Sequence, residues 1–205
     1  YAPAFTNYVE GIYVGYKYYE TAAQEGSIDY DKTVQYPFGY GLSYTEFEQK
    51  MGELEEKDGQ ISVDVEVTNT GDVAGKDVVE VYYKPPYTNG GIEKSSANLI
   101  EFSKTDLLQP GETQTVTVTF SIEDMASYDE NNAKAYVLEK GDYVISINSD
   151  SHTVLDQKTY TAGDDVVYKG ENKRASDDIA ASNVFENAKG DVTYLSRADH
   201  FANYE

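Results

Sequence analysis

Residues 61–72 read ISVDVEVTNTGD, and the first part alternates without a fault: Ile61, Val63, Val65 and Val67 against Ser62, Asp64, Glu66 and Thr68. A period of two puts successive side chains on opposite faces of a strand, so the segment is half-buried, with one apolar and one wet face. The cluster Asn69-Thr70-Gly71-Asp72 ends it with turn residues. The same period recurs outward along the chain. Val79, Val81 and Tyr83 form one face of a strand that stops at Pro85-Pro86, and Val116, Val118, Phe120 and Ile122 alternate with Thr115, Thr117, Thr119 and Ser121. Tyr143, Ile145 and Ile147 make a further row after the Lys140-Gly141 turn. Shorter strands are predicted at 44–49, 99–103, 135–138 and 154–160. About seven or eight short strands with turn signals between them predict an all-β fold, a two-sheet antiparallel sandwich.

The chain has 205 residues, enough for one domain with appendages or for two small ones. It has no cysteine, which removes thiol nucleophiles, disulfides and cysteine-ligated zinc. The balance of 37 acidic against 16 basic residues, a net charge of −21, argues against binding nucleic acid or an anionic membrane surface. No run of apolar residues is long enough to span a membrane. Starting at Tyr1 without a leader, the chain reads as an internal fragment of a longer polypeptide. Its 20 tyrosines permit contact with a sugar, and strand propensity accounts for them equally well.

Residues 36–47, YPFGYGLSYTEF, precede the strands. Gly39 and Gly41 flank Tyr40 and predict a tight turn, since only glycine reaches positive φ freely. Pro37 fixes its own φ and pushes Tyr36 toward an extended conformation. The stretch is a stiff connector whose aromatics, Tyr36, Phe38, Tyr40 and Tyr44, need a surface to pack against. Further upstream, residues 8–20, YVEGIYVGYKYYE, gather Tyr13, Tyr16, Tyr18 and Tyr19 without a clean period. They read as an extended arm with a helical turn near 18–24. Beyond residue 161 the alternation fades into charged and small polar residues, which reads as a linker that orders only against a neighbour.

Three blocks, 8–20, 36–47 and VTNTGDVAGKDVVEVYYKPP at 67–86, together resemble the C-terminal fibronectin type III-like domain of glycoside hydrolase family 3, the β-glucosidase and β-xylosidase family. LLQPGETQTVTVTF at 107–120 and SYDE at 127–130 resemble later strands of the same domain. The resemblance implies a fibronectin type III or immunoglobulin-like sandwich at 42–163. Residues 1–41 would be an arm from the end of a preceding sandwich domain, and 164–205 a linker toward a following domain. It implies as partners the barrel and α/β sandwich domains of the same polypeptide, which in the family commonly precede this domain. Because this chain continues past its final strand, a rearranged order is expected instead, with the sandwich before residue 1 and the barrel after residue 205. Tyr13, Tyr16, Lys17, Tyr18, Tyr19, Phe38 and Tyr40 are the candidate contacts, to another domain or to a sugar. Lys17 stands where the family carries arginine, keeping the charge and losing the planar fork. The loop 84–98, rich in Gly, Pro, Ser and Asn, is the candidate for reaching a neighbour.

Catalytic chemistry is sought and not found. A glycosidase needs two carboxyl groups flanking the bond. In the family resembled, the aspartate nucleophile sits in the barrel and the acid/base residue usually in the sandwich domain, and neither motif region is recognisable here. Asn148-Ser149-Asp150-Ser151 contains a Ser-Asp pair but follows a strand, so it is expected to be a turn whose Asn and Asp side chains bond to backbone. His152 and His200 lack ligand spacing, and Asp29 and Asp31 lack an EF-hand loop. No cofactor and no metal are expected. The reading is a non-catalytic domain that braces catalytic ones. The alternatives are a carbohydrate-binding module for β-linked glucan or xylan oligosaccharides, and a cell-surface spacer or adhesion domain.

Overall fold

The computed structural model describes residues 8–204, and the alternating segments all become strands. In chain order these are β1 (Phe47–Lys57), β2 (Gln60–Asn69), β3 (Val78–Lys84), β4 (Asn98–Lys104) and β5 (Thr113–Ser121). They are followed by β6 (Ser127–Asp129), β7 (Ala135–Leu138), β8 (Gly141–Asn148), β9 (Val154–Ala162) and β10 (Val166–Tyr168). A three-stranded sheet of order β1-β2-β5 faces a four-stranded sheet of order β4-β3-β8-β9, and a small sheet β10-β7-β6 closes one end. All the pairings are antiparallel. The fold is the predicted all-β sandwich.

Its core forms where the apolar rows meet. Val63, Val65 and Val67 of β2 and Val116, Val118 and Phe120 of β5 share one buried cluster with Val79 and Val81 of β3 and Tyr143, Ile145 and Ile147 of β8. Each such side chain contributes about 1.5–3 kcal/mol on burial. On the wet face of the first sheet the opposed pairs are polar. Ser62 meets Thr119 at 2.8 Å, Thr68 meets Thr113 at 2.8 Å, and the Thr117 hydroxyl donates to Asp64 at 2.5 Å.

β1 departs from its predicted span of 44–49. It starts at Phe47, leaving Tyr44 fully exposed, and runs on through a charged segment to Lys57. A register shift between Met51 and Leu54 breaks the alternation there, which hides the strand from its period. Asp58 and Gly59, with φ of 51° and 77°, close the hairpin to β2 in the left-handed pair that matches strand twist. In β3, Tyr83 packs against the core as expected. Tyr82, expected outward, is only 2% exposed, because the outer face of the four-stranded sheet is covered.

The cover is the arm. Helix α1 (Tyr16–Gln24) extends the predicted turn, and α2 (Tyr30–Thr33) is a single further turn. α1 ends with the Ser27 N–H on the Ala22 carbonyl at 2.8 Å and the Gly26 N–H on the Ala23 carbonyl at 3.0 Å, the pattern of a helix stop. The segment after α2 then crosses β3, where Gly39 lies so close to Glu80 that a Cβ would sit 2.8 Å from its carboxylate. Burial raises the Glu80 pKa, the Tyr82 hydroxyl that donates to it at 2.9 Å opposes that rise, and the nearby Asp150 and Asp77 add to it.

Of the segment 164–205, expected as a linker, residues 164–204 are described and take up places in the fold. β10 pairs with β7, and farther on Leu195 and Phe201 form a second small core with Tyr13, Tyr18 and Ala22 of the arm. His200 and Phe201 both sit at left-handed φ, 58° and 59°, which is unfavourable for residues with side chains and is held here by packing. Residues 1–7 of the expected arm lie outside the described residues.

Two outcomes follow from this packing. Val65→Asp or Val118→Asp buries an unpaired charge between the sheets and destabilises by about 4 kcal/mol or more, whereas Glu66→Gln stays within about 0.5 kcal/mol. Thermal melts ranking them the other way would put the strand register off by one residue. Glu80 works in the opposite sense. Its folded pKa is raised, so its stabilising contribution is full below the unfolded value and is lost as pH rises through the folded one. Glu80→Gln should therefore raise the melting temperature near neutral pH and change nothing below about pH 4. A lower melting temperature at neutral pH would contradict this.

Candidate functional site

The attachment of the arm is built on Glu20, which α1 carries to the end of β8. Its buried carboxylate accepts from the Tyr30 hydroxyl at 2.6 Å, the Ser151 hydroxyl at 2.8 Å and His152 Nδ1 at 2.8 Å. The His152 ring stacks on Tyr30 at 3.7 Å. The turn 148–151 is thus a receptor for the arm. Asp150 Oδ1 accepts from the His152 and Thr153 N–H groups at 2.9 and 2.8 Å, as expected of a turn, and the Ser151 N–H reaches the Phe38 carbonyl at 2.8 Å. Asn148 departs from that expectation, since its Oδ1 is buried and finds no hydrogen-bond partner among the described residues.

The seven predicted contact residues separate into two groups. Tyr13 and Tyr18 are 2% and 5% exposed and present no face to a ligand. Tyr13 meets Phe201 edge-on at 4.8 Å and donates to Glu93, and burial first, then Glu93, pushes its pKa far above the ordinary tyrosine range. Tyr18 stacks on Tyr204 at 4.1 Å, with Tyr19 edge-on at 5.3 Å. Tyr16 stacks on Phe38 at 4.7 Å and accepts from the Leu99 N–H at 2.9 Å, fastening α1 to β4. The Lys17 carbonyl accepts from Thr21 and Ser95, and burial lowers the pKa of its ammonium. Phe38 and Tyr40 keep 49% and 47% of their surface exposed and continue into Leu42 and Tyr44 at 90% and 101%.

Two depressions flank the arm. The larger, about 620 Å³, is lined by Lys17, Tyr83, Asp124, Tyr128, Arg174 and Tyr194. Two of its charged groups, Arg174 and Glu130, are occupied with neighbours. Arg174 is gripped by both oxygens of Asp177 at 2.8 and 2.9 Å and lies 3.7 Å over the Tyr136 ring, while Lys189 meets Glu130 at 2.9 Å. The smaller, about 500 Å³, lies between α1 and the sheet and is lined by Glu20, Tyr30, Tyr82, Asn148 and His152. Among the described residues no group of three or more His, Asp or Glu is placed to hold a metal ion.

The loop 84–98 also behaves differently from its sequence. Lys94, Ser95 and Ser96 are buried against the arm, the Ser96 N–H donating to Thr21 Oγ1 at 3.0 Å, so only its tip around 88–91 projects. Sequence reasoning missed Glu20, Tyr30, Glu93 and Arg197. Each acts through partners 10 to 172 residues away, which no local pattern reports.

Residues 77–151 match the family model described as a fibronectin type III-like domain. Over 178 residues the chain is 35% identical to a β-glucosidase of Kluyveromyces marxianus, covering 82% of this chain and 20% of that protein. It is 41% identical over 159 residues to β-glucosidase A of Butyrivibrio fibrisolvens, covering 68% and 18%. Among solved structures, a β-glucosidase from Paenibacillus barengoltzii superposes with a TM-score of 0.68 at 38% identity, over 78% of this chain and 18% of that one. The chain spans about a fifth of the length of these relatives, which are larger enzymes with further domains in the same polypeptide. The chain therefore belongs to the fibronectin type III-like domains of glycoside hydrolase family 3.

Proposed function

We propose that this domain braces the catalytic barrel and α/β sandwich domains of a β-glucosidase-like enzyme and performs no hydrolysis itself. One observation carries the proposal. Tyr36, Phe38, Tyr40, Leu42 and Tyr44 form a continuous ribbon, 47–101% exposed, on a chain whose net charge is −21. A contiguous apolar stretch in water is the mark of a surface that another surface covers. Its backbone is held from behind by the Ser151 N–H on the Phe38 carbonyl and by Tyr16 stacking on Phe38, so the ribbon is presented in a fixed pose. In the domain order proposed, the sandwich precedes the arm and the barrel follows the tail. The Leu195 N–H reaches the Val9 carbonyl at 2.8 Å, so arm and tail run side by side and both neighbours would attach at one face.

The carbohydrate-binding alternative would use the same ribbon. The Tyr36 and Tyr40 rings are 5.0 Å apart and inclined by 37°, which favours packing into a shaped surface over a flat sugar platform.

Replacing Leu42 and Tyr44 by Ser should leave the melting temperature of the isolated chain within about 2 °C, since neither packs on the domain, and should lower that of the whole enzyme by several degrees. Equal effects in both settings would refute the bracing role. Purified chain should release no chromophore from aryl glucosides or xylosides. Turnover abolished by mutating one carboxylate of this chain would overturn the non-catalytic reading, and saturable NMR shifts at Tyr36 or Tyr40 with cello-oligosaccharides would favour the binding module.

A further inference from the structure

Three segments far apart in sequence meet at one polar knot. Glu93, in the loop between β3 and β4, accepts from the Tyr13 hydroxyl, from Ser196 Oγ at 2.6 Å and from the Arg197 N–H at 3.1 Å. Arg197 is 4% exposed. Its Nε donates to Glu25 at the end of α1 at 2.6 Å, its Nη1 to the Lys94 carbonyl at 3.2 Å, and its guanidinium lies 4.0 Å from the centre of the Tyr87 ring. On the far side of the loop, the Lys94 ammonium donates to the Pro86 carbonyl at 2.7 Å and pairs with Glu139.

We propose that residues 191–204 act as a strap that sets the pose of the loop 85–97, with Arg197 as the positioning residue. The guanidinium suits the role because one planar group does three things at once: it pairs with a carboxylate, donates to a carbonyl and covers an aromatic face. The strap is itself seated by Phe201, buried against Tyr13 and Tyr18, and by the Ser27 hydroxyl on the His200 carbonyl at 3.1 Å. Loop, arm and tail therefore order together, and the exposed tip around 88–91 projects where the tail directs it. This deepens the bracing proposal by naming what would aim the loop at a neighbouring domain, yet it concerns contacts within this chain alone.

Hydrogen exchange on the 205-residue chain tests the strap apart from any docking. Arg197→Ala should accelerate exchange across 88–96 by about tenfold or more while β2 and β5 keep their protection. Arg197→Lys keeps the charge beside Glu25 without the planar cover on Tyr87, so it should loosen the same residues by about threefold. In a Tyr87→Leu background the lysine substitution should add less than it does in the unmodified chain, since the ring it uncovers is already gone and only the donation to the Lys94 carbonyl is left to lose. Should the alanine variant fail to fold, the lysine variant and the double variant carry the test. Unchanged exchange at 88–96 in a folded variant, acceleration shared equally by β2 and β5, or additive effects of Tyr87→Leu and Arg197→Lys would each overturn the proposal.

Discussion

The valine contact between the sheets is the constraint on which everything else rests. β2 contributes Val63, Val65 and Val67 to it, and β3 and β8 answer with Val79, Val81, Ile145 and Ile147. A strand has only two faces, so burying this row leaves Ser62, Asp64 and Glu66 in water and fixes the register of β1 and β5 on either side. On the second sheet the same commitment turns Glu80, Tyr82, Ser146 and Asn148 outward. Four polar groups on one sheet face would suit solvent, but Tyr82, Ser146 and Asn148 are buried. The arm has to supply their surroundings.

That requirement explains the chemistry of the arm. A purely apolar helix laid on this face would leave polar groups without partners, at a cost of about 1–3 kcal/mol each. α1 brings Glu20, Thr21 and Tyr16 instead, and each finds a partner on the sheet or its loops. Tyrosine does this better than phenylalanine because it buries a ring and keeps a hydrogen-bonding tip. Burial pushes the hydroxyls of Tyr13, Tyr30 and Tyr82 well above their ordinary range, helped in each case by a carboxylate that accepts from the hydroxyl. They remain neutral donors across physiological pH, so the attachment does not depend on a tyrosine titrating.

The sequence is most legible where a single period controls the outcome. β2, β5 and β8 could be read residue by residue, because each alternates against one core with no bulge in its apolar row. β1 was legible only at its start, since the shift between Met51 and Leu54 interrupts the period and the remainder is charged. Tyr82 and Tyr83 mark another limit. Alternation assigns one to each face correctly, but it cannot say that the outer face is covered as well. The site was less legible still. Tyr13, Tyr16 and Tyr18 stood out as a cluster, yet which of them would be buried depends on Phe201 and Tyr204, residues from a segment that reads as polar linker. Phe201 and Tyr204 are two of five aromatic residues scattered without a period through 164–205, and their effect appears only when the arm gives them a surface.

The contrast between the two aromatic groups of the arm connects structure to role. Tyr13, Tyr16 and Tyr30 face inward and are tied by hydrogen bonds, which give direction and fix geometry. Tyr36, Leu42 and Tyr44 face outward and are apolar or wet at the tip, which gives adhesion without direction. A domain that merely capped its own sheet would need the first group alone. Keeping the second group in water exposes apolar surface on a strongly acidic chain, and under the bracing proposal a neighbouring domain is what covers it. Under the same proposal the directional bonds hold the arm on the domain, so the ribbon beside Phe38 is a surface that a neighbour would cover without the domain having to rearrange.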